Sequence, residues 1–434
     1  MRRFVIMLAL AAVAGAAFAE EITLEEAIDF ALARSPAAVA ADSTYLNARA
    51  DLYQGWGGIM PSAQLSYSAS RYYDRDVLRF SGYEIPGYVP PAHYYYAQAR
   101  LDQPLFAGGR LWWGVLSGRA SARAGEADRT AQRHQLVVDV ARAYFGVLKA
   151  DGLREVADLS LEASRNNEEL ALVQYETGAL SRAEYLAAVV QRGADEIAAI
   201  AAESAAVTAR LAFFNTVGME PEPGLVFAQV EGETPPPDLP PLERLLEEAM
   251  AGRPDVVKTR EEKRVADLAV RSARAGWFPS VGASATYQWN DYNSPAADTW
   301  DDYDEWTLGL SASWYLFDSF QTKANVDRAR AAAALRRSAY ERLRDVVALD
   351  VTNVYYEYKR QAETVTVATE TAAAAEEEFA IVQELYALGG ASTLELTGAQ
   401  ARFVDAGNSL VEAKYDMLIA DFDLHRALGD LPYR

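Results

Sequence analysis

The 434-residue chain has no cysteine, only three histidines and a marked shortage of basic over acidic residues, with a formal net charge of -21. The missing cysteine excludes a disulfide framework, a thiolate metal site and a lipid-modified N-terminal cysteine. His93, His134 and His425 stand far apart and read as surface or packing residues, and no Walker A loop, GxGxxG, GxSxG or HExxH occurs. No enzyme activity, resident metal or cofactor is therefore expected. The acidic balance excludes a nucleic-acid partner, because phosphate contacts need clustered Lys and Arg. Beyond the N-terminus no unbroken apolar run approaches the roughly 20 residues of a spanning helix, so entry into a membrane would have to be as strands.

The first twenty residues, MRRFVIMLALAAVAGAAFAE, place two arginines before an apolar run ending in Ala17-Phe18-Ala19, the pattern of a secretory leader. Removal of residues 1–19 would leave a chain outside the cytoplasm. The alternative, an uncleaved anchor, has a run short for a bilayer and lacks stop-transfer charges.

A repeat organises the rest. TLEEAIDFALARSP (23–36) aligns with PLERLLEEAMAGRP (241–254), and the same offset of 218 pairs Gly58 with Gly276 and Pro61-Ser62 with Pro279-Ser280. Later the offset becomes 211, pairing Leu105-Phe106 with Leu316-Phe317, Tyr144 with Tyr355, Gly178 with Gly389, Ser181 with Ser392 and Gly218 with Gly429. The seven-residue difference falls between Ser62 and Leu105, where a loop tolerates it. The expected plan is a first repeat over 20–218, a linker over 219–241 marked by Pro221, Pro223, Pro235, Pro236, Pro237, Pro240 and Pro241, and a second repeat over 242–430.

No proline occurs over 105–220 or 296–431, and apolar residues there recur at helical spacing: Val137, Val140, Ala141, Tyr144 and Leu148, then Leu343, Val347, Val351, Val354 and Tyr358. One helix of about 65 residues would reach about 100 Å. Gly178-Ala179-Leu180-Ser181 and Gly389-Gly390-Ala391-Ser392 combine a C-terminal glycine with a serine N-cap, so each repeat is expected to fold back as a hairpin, over 110–218 and 321–429.

Period-two segments precede the helices. Ala63, Leu65, Tyr67 and Ala69 alternate with polar residues, as do Tyr95, Ala97, Ala99 and Leu101; Val281, Ala283, Ala285, Tyr287 and Trp289; and Trp306, Leu308, Leu310, Ala312, Trp314 and Leu316. Strands are expected near 62–71, 94–105, 280–290 and 306–317, about the length of a tilted bilayer-crossing strand. A half-buried hairpin in a soluble sheet is the alternative, but no apolar segment remains to cover it. Four strands cannot close a barrel in lipid, so several chains must contribute, and three copies would supply 12. The acidic stretch 298–305 and the Tyr- and Pro-rich stretch 71–93 read as solvated loops.

The duplicated plan, the Pro-Ser strand entries, the two Leu-Phe pairs and the turns YETGALSRAEYL (175–186) and YALGGASTLELTGAQ (386–400) together resemble the outer-membrane efflux proteins, the family of TolC-type export ducts, over essentially the whole chain. The resemblance implies a homotrimer, mainly α with a transmembrane β-barrel: a 12-stranded barrel among outer-membrane lipid and a helical barrel of duplicated long hairpins across the periplasm. It also implies a conduit for an efflux or type I secretion system, closed at the turns until a periplasmic adaptor (membrane fusion protein) and an inner-membrane pump of RND or ABC type engage. The membrane-boundary switches would be Pro61 and Pro279, and the adaptor-contact turns Gly178, Ala179, Leu180, Ser181, Gly389, Gly390 and Ser392. Relatives carry an acid after the first turn that accepts a hydrogen bond from a tyrosine before the second; the matching residues are Glu184 and Tyr386. Glu395 matches an acid of the pore constriction. The chain departs from the pattern at Ala391, where a basic residue is found in some relatives, and at Gly398, where a second acid can sit; Arg182 is the candidate to replace the missing base. A ring of Glu395 carboxylates would favour cations, whereas a first-turn acid complementing the helix dipole is the plainer reading of Glu184 and Glu395. The rival class is a periplasmic coiled-coil adaptor or scaffold, which has no use for four alternating strands.

Overall fold

The computed structural model describes residues 21–73, 79–80, 83–84, 93–222, 224–229, 239–291 and 304–431. In chain order these form β1 (Glu21–Ile22), α1 (Leu24–Arg34), α2 (Pro36–Gly57), β2 (Ser62–Arg71), β3 (Arg79–Phe80), β4 (Tyr83–Glu84), β5 (His93–Ala107), α3 (Arg110–Glu176), α4 (Arg182–Val217), β6 (Val226–Phe227), α5 (Leu242–Gly252), α6 (Pro254–Arg274), β7 (Ser280–Asp291), β8 (Asp304–Ser313), α7 (Gln321–Ala387) and α8 (Thr393–Leu428). The leader, the linker prolines Pro223 and 235–237, and most of the acidic stretch 298–305 lie outside the described residues. Two compact units are present, each drawn from both halves of the sequence: 1–39, 132–246 and 350–434 in one, 40–131 and 247–349 in the other.

In the first unit α3 and α7 contribute the ends of two 67-residue helices, each followed by a 36-residue partner, α4 and α8. The core forms where the α3 stripe Val137, Val140, Ala141, Tyr144 and Leu148, exposed by no more than 2%, meets Ile28 of α1 and Phe213 and Val217 of α4. The Tyr144 hydroxyl donates to Ala228 O (2.8 Å) and lies 3.0 Å from Ile22 O, tying α3 to the parallel pair β1–β6. On α7 the buried stripe is Val347, Val351, Tyr355 and Tyr358, with Leu343 and Val354 only half-buried. By length and composition α4 is apolar enough to cross a membrane. A search for unbroken apolar runs misses it because Glu203 and Arg210 interrupt the segment.

The second unit holds an antiparallel sheet in the order β2-β5-β7-β8. Its register places Leu65 opposite Ala99, Ala99 opposite Tyr287 and Tyr287 opposite Trp306, so the apolar sets of all four strands share one face. That face is uncovered: Leu65, Trp306, Leu308 and Leu310 are 70–81% exposed. The ladder slips between Pro104 and Phe106, where proline has no N–H to donate. The expected fourth strand, 306–317, is too long. β8 stops at Ser313, opposite Ser280, because Pro279 beyond it offers no N–H to continue the pairing. Trp314 instead donates from Nε1 to Trp277 O at 3.1 Å.

Candidate functional site

The two helix-to-helix turns are built alike. After α3, Gly178 takes φ 78°, a left-handed value that glycine adopts without strain, and the amides of Ala179 and Leu180 donate to Gln174 O at 2.8 and 3.1 Å. Ser181 then caps α4: its Oγ accepts from Glu184 N at 3.3 Å, and Glu184 Oε2 accepts from Ser181 N at 3.0 Å. After α7, Gly389 takes φ 76° and Gly390 N donates to Leu385 O at 2.7 Å. Ser392 caps α8, its Oγ accepting from Glu395 N at 3.2 Å while Glu395 Oε2 accepts from Ser392 N at 2.7 Å. Both are reciprocal capping boxes, which satisfy amides that a helix start leaves unpaired.

These bonds hold both carboxyls below the usual glutamate range, through the Ser181 hydroxyl and amide for Glu184 and through the Ser392 amide and hydroxyl for Glu395. Both side chains are therefore anions at neutral pH, each at a positive helix end.

The structure does not bring Glu184 and Tyr386 together: no hydrogen bond joins them within the chain. Tyr386 is 3% exposed and packs with Phe379, Leu396 and Ala399, with Ala391 beside them. Arg182 is exposed and, among the described residues, has no ion pair in the chain. Leu388 and Leu394, 85% and 81% exposed, make the second turn apolar at its tip. Pro61 and Pro279 stand immediately before β2 and β7. His134 is buried, and burial pushes its pKa down, as befits a packing residue.

Sequence reading missed the bonds that position these turns. Gln400 of α8 donates from Nε2 to Ser160 O (3.1 Å) and Ser160 Oγ (3.0 Å) on α3, and lies 2.9 Å from Asp195 Oδ2 on α4. Arg402 forks onto Glu378 of α7 at 3.0 and 2.7 Å. A Gln within the apolar series Leu396, Ala399 and Phe403 was the available signal.

The described residues thus combine an uncovered apolar sheet face, paired long hairpins and duplicated capped turns. Two blocks, residues 27–219 and 245–430, match the family model described as outer membrane efflux protein. The chain belongs to the outer membrane efflux protein family. A curated relative, the outer membrane efflux protein BepC of Brucella suis biovar 1 (strain 1330), is 21% identical over 337 residues, covering 76% of this chain and 71% of BepC. Among solved structures, the outer membrane protein VceC of Vibrio cholerae superposes with a TM-score of 0.78 at 18% identity, over 94% of this chain and 96% of VceC. The CmeC outer membrane channel of Campylobacter jejuni gives 0.80 at 16% identity, over 94% and 85%. These likenesses show the fold, and family membership makes the chain an outer-membrane efflux channel, a conduit and not an enzyme.

Proposed function

We propose that this chain is the outer-membrane exit duct of a tripartite efflux or type I secretion system, passively conducting cargo from an inner-membrane pump of RND or ABC type across the periplasm and outer membrane. Three copies close a 12-stranded barrel, and the hairpins of the repeats 20–218 and 242–430, joined by the linker 219–241, line a helical tube. A periplasmic adaptor opens that tube at the turns around Gly178 and Gly389, with Arg182, Glu184, Tyr386 and Glu395 at the constriction. Pro61 and Pro279 mark the membrane boundary, and the leader 1–19 is removed on export.

The sheet β2-β5-β7-β8 carries this reading. Among the described residues its apolar face has no cover, and β2 and β8 each lack a partner on one edge; an open edge is not tolerated in lipid. With all neighbours antiparallel, β2 and β8 run in opposite directions, so β8 of one copy meets β2 of the next antiparallel and a ring closes without a free edge. The test is fractionation and conductance. The full chain is expected in outer-membrane fractions as a heat-sensitive trimer that conducts ions in planar bilayers and co-purifies with an adaptor. A soluble, non-conducting protein would establish the scaffold reading instead.

A further inference from the structure

The chain as a whole is acidic, with 41 Lys and Arg against 62 Asp and Glu. One zone of the second unit reverses that balance. The segments flanking the sheet, 48–60, 108–120, 267–279 and 314–330, carry eight basic residues against four acidic ones. They comprise the last turns of α2 and α6, the first turns of α3 and α7, and the short links from these helices to the sheet.

Close contacts join these helix ends into one collar beneath the sheet. A Cβ added at Gly118 of α3 would meet Asp51 O of α2 at 2.6 Å, and one added at Gly276 would meet Thr322 Oγ1 of α7 at 2.7 Å. Gln103 of β5 donates from Nε2 to Ile59 O, just after α2, at 2.9 Å. Three of the four acids are engaged locally. Asp318 accepts from Thr322 N at 2.7 Å, Asp327 pairs with Lys323 at 2.9 Å, and Asp267 lies 3.8 Å from Arg337.

The bases are deployed differently. Arg110, Arg119, Arg271 and Arg274 are exposed and, among the described residues, make no ion pair. Arg119 lies over the Trp56 ring at 5.3 Å and Arg271 over the Trp113 ring at 5.1 Å. Stacking fixes the plane of a guanidinium and leaves its edge to fork onto an oxyanion, the geometry that suits phosphate. Although its neighbour Gly118 faces Asp51, Arg119 reaches Trp56, five residues nearer the sheet, so its charge is turned toward the sheet end of the collar. Arg110 stands against the local rule: α1, α4, α5, α6 and α8 each carry an acid in the first turn, which a positive helix end favours. α3 opens on Arg110 and has none. A cation there opposes the helix dipole, and an anion supplied from outside relieves the conflict.

The same zone exposes large rings. Trp277, Phe278, Trp314, Phe317 and Phe320 are 49–72% exposed, beside the uncovered apolar face of the sheet. Arg110 follows only three residues after β5. An apolar face, then a belt of rings, then bases is the order of surfaces met on leaving a bilayer core for its headgroups. That continuity favours lipid over an acidic protein.

We propose that this collar binds the phosphates of anionic phospholipids in the periplasmic leaflet beside it, with Arg110, Arg119, Arg271 and Arg274 as the contacts. It rests on the outer-membrane reading above and adds the headgroup class that the protein gathers around itself.

The test uses the full-length oligomer in phosphatidylcholine vesicles carrying a trace of spin-labelled phosphatidylglycerol or, in parallel, spin-labelled phosphatidylcholine. Electron spin resonance reads the fraction of each label immobilised at the protein. Wild type is expected to favour phosphatidylglycerol about fivefold, and about 1 M NaCl to remove most of that preference. Combining Arg110→Gln, Arg119→Gln, Arg271→Gln and Arg274→Gln is expected to equalise the labels, whereas Lys at the same four positions retains most of the preference. Arg110→Gln with Arg274→Gln leaves both indole stacks in place and is expected to reduce the preference to about twofold, which keeps the test decisive if the fourfold variant does not assemble. Equal binding of the two labels by wild type overturns the site. So does a preference that survives the Gln substitutions, and a shifted reversal potential in those same variants would place the arginines along the conduit instead. A wild-type protein that does not enter vesicles at all defeats the outer-membrane reading itself.

Discussion

Gln400 of α8 and Asp195 of α4 meet at 2.9 Å, and the same amide of Gln400, 1% exposed, also donates to Ser160 of α3. One side chain thus joins three helices behind the turns. Gln400→Leu keeps the volume and removes the donor. It is expected to lower stability by about 1–3 kcal/mol, because Ser160 loses its partner while Asp195 retains Gln191. Thermal unfolding measures the loss, and single-channel recording is expected to show more frequent opening.

Glu395 has two separable roles, a cap and a charge. Glu395→Ala is expected to reduce cation preference and divalent block in planar bilayers, and Glu395→Gln to do the same while keeping the cap, because an amide can still accept from Ser392 N. Unchanged reversal potentials in both variants would leave Glu395 as a cap alone. The folded carboxyl titrates below its ordinary value of 4.5. Its stabilisation is therefore present above that value and lost as pH falls through the lower folded one. Hydrogen exchange in the first turn of α8 is expected to quicken only below pH 4.5.

Tyr144→Phe removes the hydroxyl that bonds Ala228 O and Ile22 O. Ile22 O keeps its bond from Ala228 N, so the loss is centred on the half-buried Ala228 carbonyl and is expected to cost about 1 kcal/mol, read from denaturant midpoints. Burial pushes the Tyr144 pKa up to about 12 from 10.0. A raised folded value means the stabilisation is complete below pH 10 and is lost between pH 10 and about 12; Tyr144→Phe is expected to flatten that part of the stability profile.

The sharp entry to α7 carries Ser319 at φ 54° and Phe320 at φ 67°, whereas the equivalent residues before α3 are Gly108 and Gly109. Left-handed backbone costs a side-chain-bearing residue about 1–2 kcal/mol. Ser319→Gly is expected to raise the melting temperature. Gly108→Ala is expected to lower it, doubly so because the added Cβ would come within 2.5 Å of Ala275 O.

Much of this was legible residue by residue. Alternation over Val281 to Trp289 tells which side chains share a face, because a strand turns its side chains to opposite sides at every step. Gly178 and Ser181 mark a turn because left-handed torsion and amide capping involve only neighbours along the chain. The end of β8 was not legible, since it depends on Pro279, a residue of the partner strand. Nor were the contacts each gate candidate makes within the chain, because the family pattern names the positions and not what each finds nearer to hand: Glu184 its own Ser181, Tyr386 the apolar cluster of Phe379 and Leu396.

By itself the amino-acid sequence determined the elements, their breaks and the acidic character of the chain, all consequences of torsion, capping and charge within a few residues. Only the tertiary structure decided that α4 buries Ala188 and Ala199 and turns Ile197 and Ile200 outward, and that Gln400 and Arg402 set the level of the turns. A helix with an apolar stripe on each side satisfies the same periodicity whichever stripe faces inward. The choice is made by the shape of what packs against it, here the close approach of α3 and α8, which only alanine on that face permits.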